Sequence, residues 1–214
     1  MIRMLRWLLP LAALVVGACS SLTGRKDPFT VYAPRYTAPA DAAKGASVPW
    51  QLSIDTPVAS DVLDTPRMLV MPSPGALETY KGARWSDTAP LLLRTLMVQA
   101  FQESGRISGV GASTSGLHGD YLLAVDLYDF ETQDRDGSPH AMIRLNAKLT
   151  VSSTNRIVAA RAFEADAPVA GSQAAAAAAA FDQALAQLLP SIVDWALTEG
   201  DSRWQKNAPQ RTAR

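Results

Sequence analysis

Carboxylates and imidazoles are the side chains of this sequence that could carry acid–base or metal chemistry. Asp126, Asp129 and Glu131 cluster within one predicted strand, and paired carboxylates can act as general acid and base. Because Asp126 and Asp129 are an odd number of residues apart, strand alternation predicts opposite faces and favours a solvated strand end. His118 and His140 stand 22 residues apart beside Gly or Pro, without the spacing of helical metal ligands. We therefore predict surface loop histidines, no metal, no cofactor and no enzyme.

The one cysteine, Cys19, ends a segment that has the layout of an export signal. Arg3 and Arg6 precede an apolar run of 12 residues, Trp7 to Ala18, and spanning a bilayer takes about 20. The run ends in Val16-Gly17-Ala18-Cys19, which resembles the lipobox cut by lipoprotein signal peptidase, and the thiol is the nucleophile that becomes a thioether. We therefore predict a signal peptide at residues 1–18 and a lipid-modified Cys19, which leaves no thiol for a disulfide.

The residue after the cysteine indicates the membrane, the overall charge limits the class of partner, and the length limits the number of domains. In proteobacterial lipoproteins an Asp at that position usually means retention in the inner membrane; by resemblance to them, Ser20 suggests the outer membrane, with a lipid-anchored domain that faces the periplasm. Lys+Arg and Asp+Glu number 20 each, and without a basic excess we expect no nucleic acid partner. Cleavage leaves 196 of the 214 residues, which is enough for one domain with flexible ends.

The mature chain divides into a tether, a domain and a tail. Residues 19–49 are predicted to form a lipidated, Pro/Ala-rich tether, because residues 33–41 lack any apolar period. Within it, residues 28–33 are the part that we expect to pair as a short strand. The domain spans residues 50–200, and the polar residues 201–214 are predicted to be a disordered tail.

Within residues 50–200 the apolar patterns follow the order strands, helix, strands, helix. The first helix is predicted to begin after the cap residues Asp87 and Thr88 and to end near Gly105. The second is predicted to begin near Ser172, to kink at Pro190 and to close at Gly200. This order predicts an α+β fold, a single sandwich domain in which two helices pack on one face of a mixed, mostly antiparallel sheet. The predicted strands are 50–58, 67–71, 77–85, 107–111, 121–130, 141–151 and 157–167.

The sequence resembles the auxiliary lipoproteins of ABC-type transport systems, the group that includes the periplasmic partner lipoprotein of paraquat-inducible tunnel proteins. The likeness covers roughly residues 19–199, and its most specific part is the Gly-Ala-Arg-Trp block at 82–85. The other blocks, in the family's order, are the lipobox at Cys19, Phe29 to Tyr32, Leu63 to Arg67, Tyr80 to Trp85, Pro90 with the Leu-rich helix, Ser104-Gly105, the Tyr121 to Leu127 strand with its hairpin partners, and the terminal helix.

The resemblance implies an accessory role in transport. By it, the protein serves a system of an inner-membrane ABC ATPase, a permease and an MCE-domain protein that moves phospholipids or other apolar lipids between the two membranes. The lipoprotein is then the outer-membrane docking component, and the resemblance allows a homo-oligomeric ring that meets the end of an MCE tunnel. The alternative that stays open is an outer-membrane assembly or structural lipoprotein without a direct part in lipid traffic.

Arg84 and Trp85 have two interpretations. As a fold motif, Trp85 would fill the gap between the hairpin and the first helix, and Arg84 would pair with a carboxylate of the sheet. As a partner contact, both would lie at an interface, where aromatic and Arg residues are the commonest anchors.

Overall fold

The computed structural model describes residues 29–40 and 42–211. In this part of the chain eight strands and two α-helices follow one another, in the order that the sequence predicts. They are β1 (Thr30–Tyr32), β2 (Val48–Ile54), β3 (Arg67–Ser73), β4 (Ala76–Trp85), α1 (Ala89–Glu103), β5 (Ile107–Ala112), β6 (Tyr121–Arg135), β7 (Ser138–Val151), β8 (Arg156–Pro168) and α2 (Ala174–Arg211).

The eight strands form one mixed sheet built around β6. On one side β6 pairs antiparallel with β7 along its whole length, and β7 pairs antiparallel with β8. On the other side two parallel strands share the edge of β6: β2 lies beside its beginning, with Ile54 opposite Leu123, and β3 beside its end, with Val70 opposite Thr132. Next to β3 come the antiparallel β4 and then β1, parallel to β4, while β5 flanks β2.

Both helices contribute to a single core on one face of the sheet, which we call the inner face. The alternation in β7 is as predicted, because the apolar series from Ala141 to Leu149 is buried. The helix α2 packs mainly on β8 and β7, and α1 packs on β5 and β2. The predicted α+β sandwich is therefore confirmed. The other face of the sheet, the outer face, carries no helix among the described residues.

The helix α2 differs from the prediction, because it neither closes at Gly200 nor leaves residues 201–211 disordered. Gly200 lies against the ring of Trp50, where an added Cβ would come within 2.5 Å of a ring carbon. The glycine therefore serves close packing inside the helix, and this contact outweighs its weak helix propensity of about 1 kcal/mol. Trp204, one turn later, also packs against the core.

By length and composition α2 could cross a membrane over Ala174–Lys206, but half of its most apolar stretch is buried inside the domain. A helix that is apolar and packed on two strands has the properties of a core helix.

The predicted tether is also shorter than the sequence suggests. The strand β1 confirms the expected pairing of residues 28–33 over Thr30–Tyr32, and β2 begins two residues before the predicted domain boundary. Between them, residues 33–40 and 42–47 form a strap across α1 and α2 in which Pro34 and Tyr36 are buried. The strap has no apolar period because backbone groups make many of its contacts, so composition alone misassigns it as a spacer.

The strap is held to the helices by three hydrogen bonds. The backbone N–H groups of Arg35 and Ala38 donate to the carboxylates of Asp182 (2.9 Å) and Glu103 (3.2 Å). The side-chain amide of Gln99 donates to the carbonyl of Tyr36 (3.4 Å). These bonds join the strap to both helices.

Candidate functional site

Arg84 and Trp85 end β4 and point to opposite faces of the sheet. The Trp85 side chain is buried on the inner face, and the Arg84 side chain is exposed on the outer face. Neighbouring residues of a strand must alternate in this way, so the two cannot serve one contact surface together. The fold-motif interpretation therefore applies to Trp85, and the partner-contact interpretation can apply only to Arg84.

Trp85 belongs to an aromatic cluster between the sheet and the second helix. Its ring meets Phe130 of β6 edge-on at 5.9 Å and Phe181 of α2 edge-on at 5.2 Å, and those two rings stack at 4.7 Å. All three side chains are fully buried. The fold-motif interpretation expected Trp85 between the hairpin and the first helix, whereas the ring contacts that the structure shows are with β6 and α2.

Arg84 contacts an aromatic ring rather than the carboxylate that the sequence led us to expect. Its guanidinium lies over the ring of Phe29, 5.9 Å from the centroid, which is within cation–π range. Phe29 precedes β1, and the parallel pairing of β1 with β4 places Val31 opposite Arg84. Arg84 therefore lies in an exposed corner of the outer face beside the beginning of the described chain.

The three clustered carboxylates share the outer face, which corrects the prediction of opposite faces. A bulge between Leu127 and Asp129 inserts Tyr128 as an extra residue, so Asp126 and Asp129 regain the same side of β6. Asp126 pairs with Lys148 and Asp129 with Arg144, both on β7. Asp126 and Asp129 therefore each have their own cation on β7, and these two residues form cross-strand ion pairs.

Glu131 is the buried member of this row. Its carboxylate accepts hydrogen bonds from the backbone N–H of Phe130 (2.7 Å) and the side-chain amide of Gln133 (2.6 Å). Burial raises the pKa of Glu131, and the negative charge of Asp129 adds to this, while the two hydrogen bonds act in the opposite direction. Glu131 accepts a hydrogen bond from a backbone N–H next to the bulge, and this structural role is enough to explain why a carboxyl group is buried here.

The two histidines are far apart in the fold. His118 lies in the loop before β6, where a ring nitrogen is 2.9 Å from the carbonyl of Gly116. His140 is on β7 rather than in a loop, and its ring lies 2.7 Å from a carboxylate oxygen of Asp166 on β8. Among residues 29–40 and 42–211, no group of three or more His, Cys, Asp or Glu side chains could hold a metal ion.

A cavity of about 240 Å³ lies under the strap, between α1 and α2. Burial raises the pKa of Tyr36 in its wall, and the negative charges of Glu103 and Asp194 raise it further. Asp194 also forms an ion pair with Arg106. The volume is below the roughly 300–1,000 Å³ of typical ligand pockets, so we treat the cavity as a packing gap. Its other lining residues are Pro39, Ala42, Lys44, Ala100, Ser104, Pro190 and Val193.

Comparison with known proteins identifies the family. The family of ABC-type transport auxiliary lipoprotein components matches residues 33–193, which include the strap, every strand of the sheet except β1, and about the first half of α2. The chain belongs to this family. The sequence-based resemblance is thereby confirmed, and the strap, which packs on both helices, lies inside the matched region.

Solved structures agree with this membership. A crystal structure from Xanthomonas campestris is similar to 82% of this chain and 99% of its own, with 40% sequence identity and a TM-score of 0.76. A second crystal structure, of a protein 15% identical to this one, covers 78% of this chain and 97% of its own with a TM-score of 0.59, which shows the shared fold alone.

A curated relative extends the comparison to a longer protein. A protein of Bradyrhizobium diazoefficiens is 30% identical over 190 residues, which are 85% of this chain but 49% of the relative. The auxiliary lipoprotein therefore spans about half the length of that relative.

The remaining predicted site residue, Cys19, lies outside the described residues. Within them, sequence reasoning missed the outer corner formed by Phe29, Val31 and Arg84. A signal for it was available, because Phe29 and Val31 alternate with Thr30 and Tyr32 and so had to present two apolar side chains on one face.

Proposed function

We propose that this protein is a lipid-anchored periplasmic accessory of an ABC/MCE-type system for intermembrane lipid transport, and that it acts by docking to partner proteins. The observation that carries the proposal is its membership of the transport auxiliary lipoprotein family. The lipobox-like Val16-Gly17-Ala18-Cys19 supplies the anchor, and Ser20 favours the outer membrane. The outer-face carboxylates Asp126 and Asp129 are each paired with a cation, which fits a binding role better than a catalytic one.

The structure limits how far such an anchor could let the domain travel. The strap removes residues 33–47 from the tether, so only the chain between Cys19 and Phe29 links the lipid to the fold. Fully extended, these ten steps reach about 35 Å. The domain would therefore stay next to its membrane, and a partner from the opposite membrane would have to approach it.

The anchor is tested with a Cys19→Ala variant. Wild-type protein is expected in the outer-membrane fraction, with a mass increased by the lipid. The variant is expected to lose the lipid and the outer-membrane location. If Cys19→Ala still fractionates with the outer membrane, the prediction of a lipid anchor at Cys19 is wrong.

The transport role is tested by deleting the gene. The proposal predicts increased permeability of the outer membrane or a change in its lipid asymmetry, restored by the wild-type gene but not by Cys19→Ala. MCE-domain, permease and ATPase genes beside this gene would support the same role. The proposed partner is an MCE-domain protein that forms a tunnel. A ring of identical subunits of the lipoprotein is proposed to meet the end of that tunnel.

The alternative function is an outer-membrane assembly or structural lipoprotein that braces another complex. It shares the anchor, the domain and the docking mode, and differs only in its partners. A deletion strain with normal lipid asymmetry and defective assembly of outer-membrane proteins would favour it.

A further inference from the structure

The outer corner of the sheet combines exposed apolar side chains with two arginines. Phe29 is 57% exposed and Val31 is 48% exposed, although both are large apolar residues. Arg84 lies opposite Val31, and Arg67 of β3 lies opposite Arg84. Residues that are opposite each other on paired strands point to the same face, so these side chains form one patch, the anchor-side corner.

The two arginines of this corner face each other across β3 and β4. Like charges directly opposite each other destabilise a sheet, so this pair costs stability unless an anion neutralises it. Within the described chain, no carboxylate lies at ion-pair distance from Arg67 or Arg84. The corner contrasts with the rest of the outer face, where Asp126 and Asp129 each pair with a cation. An anion that neutralises this pair would come from outside the described chain.

The position of the corner along the chain indicates the source of that anion. Phe29 begins the described chain, ten steps after Cys19. A relaxed chain of that length spans about 17 Å. A compact domain of this size has a radius of gyration of about 16 Å. A lipid at Cys19 would therefore hold this corner, rather than the far edge of the sheet, against the bilayer.

We propose that the anchor-side corner, formed by Phe29, Val31, Arg84 and Arg67, docks on the surface of a bilayer that contains anionic lipids. Phe29 and Val31 enter the boundary between headgroups and acyl chains, and the two guanidinium groups bind lipid phosphates with the bidentate geometry that suits arginine. The contact fixes the orientation of the domain on its membrane. This inference rests on the lipid anchor of the proposed function.

The experiment uses the lipidated, full-length mature protein, whose own cysteine would be blocked by the lipid. Val31→Cys then provides a single thiol for an environment-sensitive fluorophore. Ile157→Cys is the matched control, because Ile157 is 54% exposed at the start of β8. The strand β8 is five strand spacings from β1, about 24 Å across the sheet. Both proteins are reconstituted into phosphatidylcholine vesicles with and without phosphatidylglycerol.

The expected result is a blue-shifted emission at position 31 that brominated lipids quench severalfold more strongly than the emission at position 157. Phosphatidylglycerol should strengthen the quenching, and Arg84→Gln should remove that dependence while the circular dichroism spectrum stays unchanged. Water-like emission at position 31, or equal quenching at both positions, would overturn the inference. Flotation with the vesicles reports the anchor separately: protein that floats with a water-like probe contradicts only this docking surface, whereas protein that does not float contradicts the anchor.

Discussion

The two faces of the sheet are built on different principles. On the inner face, apolar side chains from the strands and both helices form one core, with Trp85, Phe130 and Phe181 in mutual ring contact. On the outer face, charged side chains pair across β6 and β7, and the anchor-side corner leaves two arginines opposite each other. The inner face accounts for the fold, so the surfaces left for partners are the outer face, the edges of the sheet and the exposed sides of the helices and the strap.

Adjacent residues of one strand show this division most directly. Trp85→Ala removes a buried ring from the cluster, and we expect a loss of about 3–5 kcal/mol in the free energy of unfolding. Arg84→Ala, one residue earlier, should cost no more than about 1 kcal/mol, the upper end for an exposed cation–π contact. Urea unfolding of both variants measures the difference. Equal losses would show that the two faces are not energetically distinct.

The strap packs on the helices that cover the inner face, so we expect it to contribute to the stability of the fold. Tyr36→Ala should lower the free energy of unfolding by about 2–3 kcal/mol, less than a fully enclosed aromatic because the adjacent cavity allows relaxation. Amide hydrogen exchange should rise in the strap more than in β7. Thr37→Ala, an exposed neighbour, is the control and should leave both quantities unchanged. A strap that exchanges freely in the wild type would show that it is a tether after all.

A substitution at Gly200 tests whether core packing or helix propensity determines the stability of α2 at this position. Helix propensity favours alanine by about 1 kcal/mol, but a Cβ would meet the Trp50 ring at 2.5 Å and overpack the core by about 1–3 kcal/mol. We expect Gly200→Ala to be destabilising by about 1 kcal/mol net in thermal unfolding. Thr198→Ala, at an exposed position of the same helix, should be neutral or slightly stabilising. A stabilising Gly200→Ala would contradict the close contact.

Glu131 is the buried charged residue of the outer face. Its folded-state pKa is raised, so the neutral carboxyl favours the fold: this contribution is present below about pH 4.5 and is lost as pH rises through the folded pKa. Glu131→Gln keeps a neutral acceptor for the Phe130 N–H. We expect the variant to be more stable than the wild type at pH 7, with the difference shrinking towards pH 4. A melting-temperature difference that is independent of pH would contradict the burial of the charge.

Local patterns predicted the elements, whereas non-local contacts decided what the sequence could not predict. The alternation from Ala141 to Leu149 predicted β7 and its buried side, because neighbouring side chains report which face is covered. The parallel pairing of β2 and β3 on one edge of β6 has no local signal, since it joins strands that are far apart in sequence. The bulge at Tyr128 shifted the carboxylates by one residue, and one residue is enough to exchange faces.

At the candidate site, too, local patterns were readable from the sequence and non-local contacts were not. The Arg-Trp block was recognised from the sequence, but only the register of β4 with β1 and β3 separates a core residue from a surface residue. The strap and the continuation of α2 past Gly200 depend on contacts with the helices and with Trp50.

The most direct test of the account is affinity purification of the lipidated wild-type protein from its own membranes, with Cys19→Ala processed in parallel. We expect the wild type to recover an MCE-domain protein and Cys19→Ala to recover much less of it. Recovery of outer-membrane assembly factors without any MCE-domain protein would contradict the proposed role in transport.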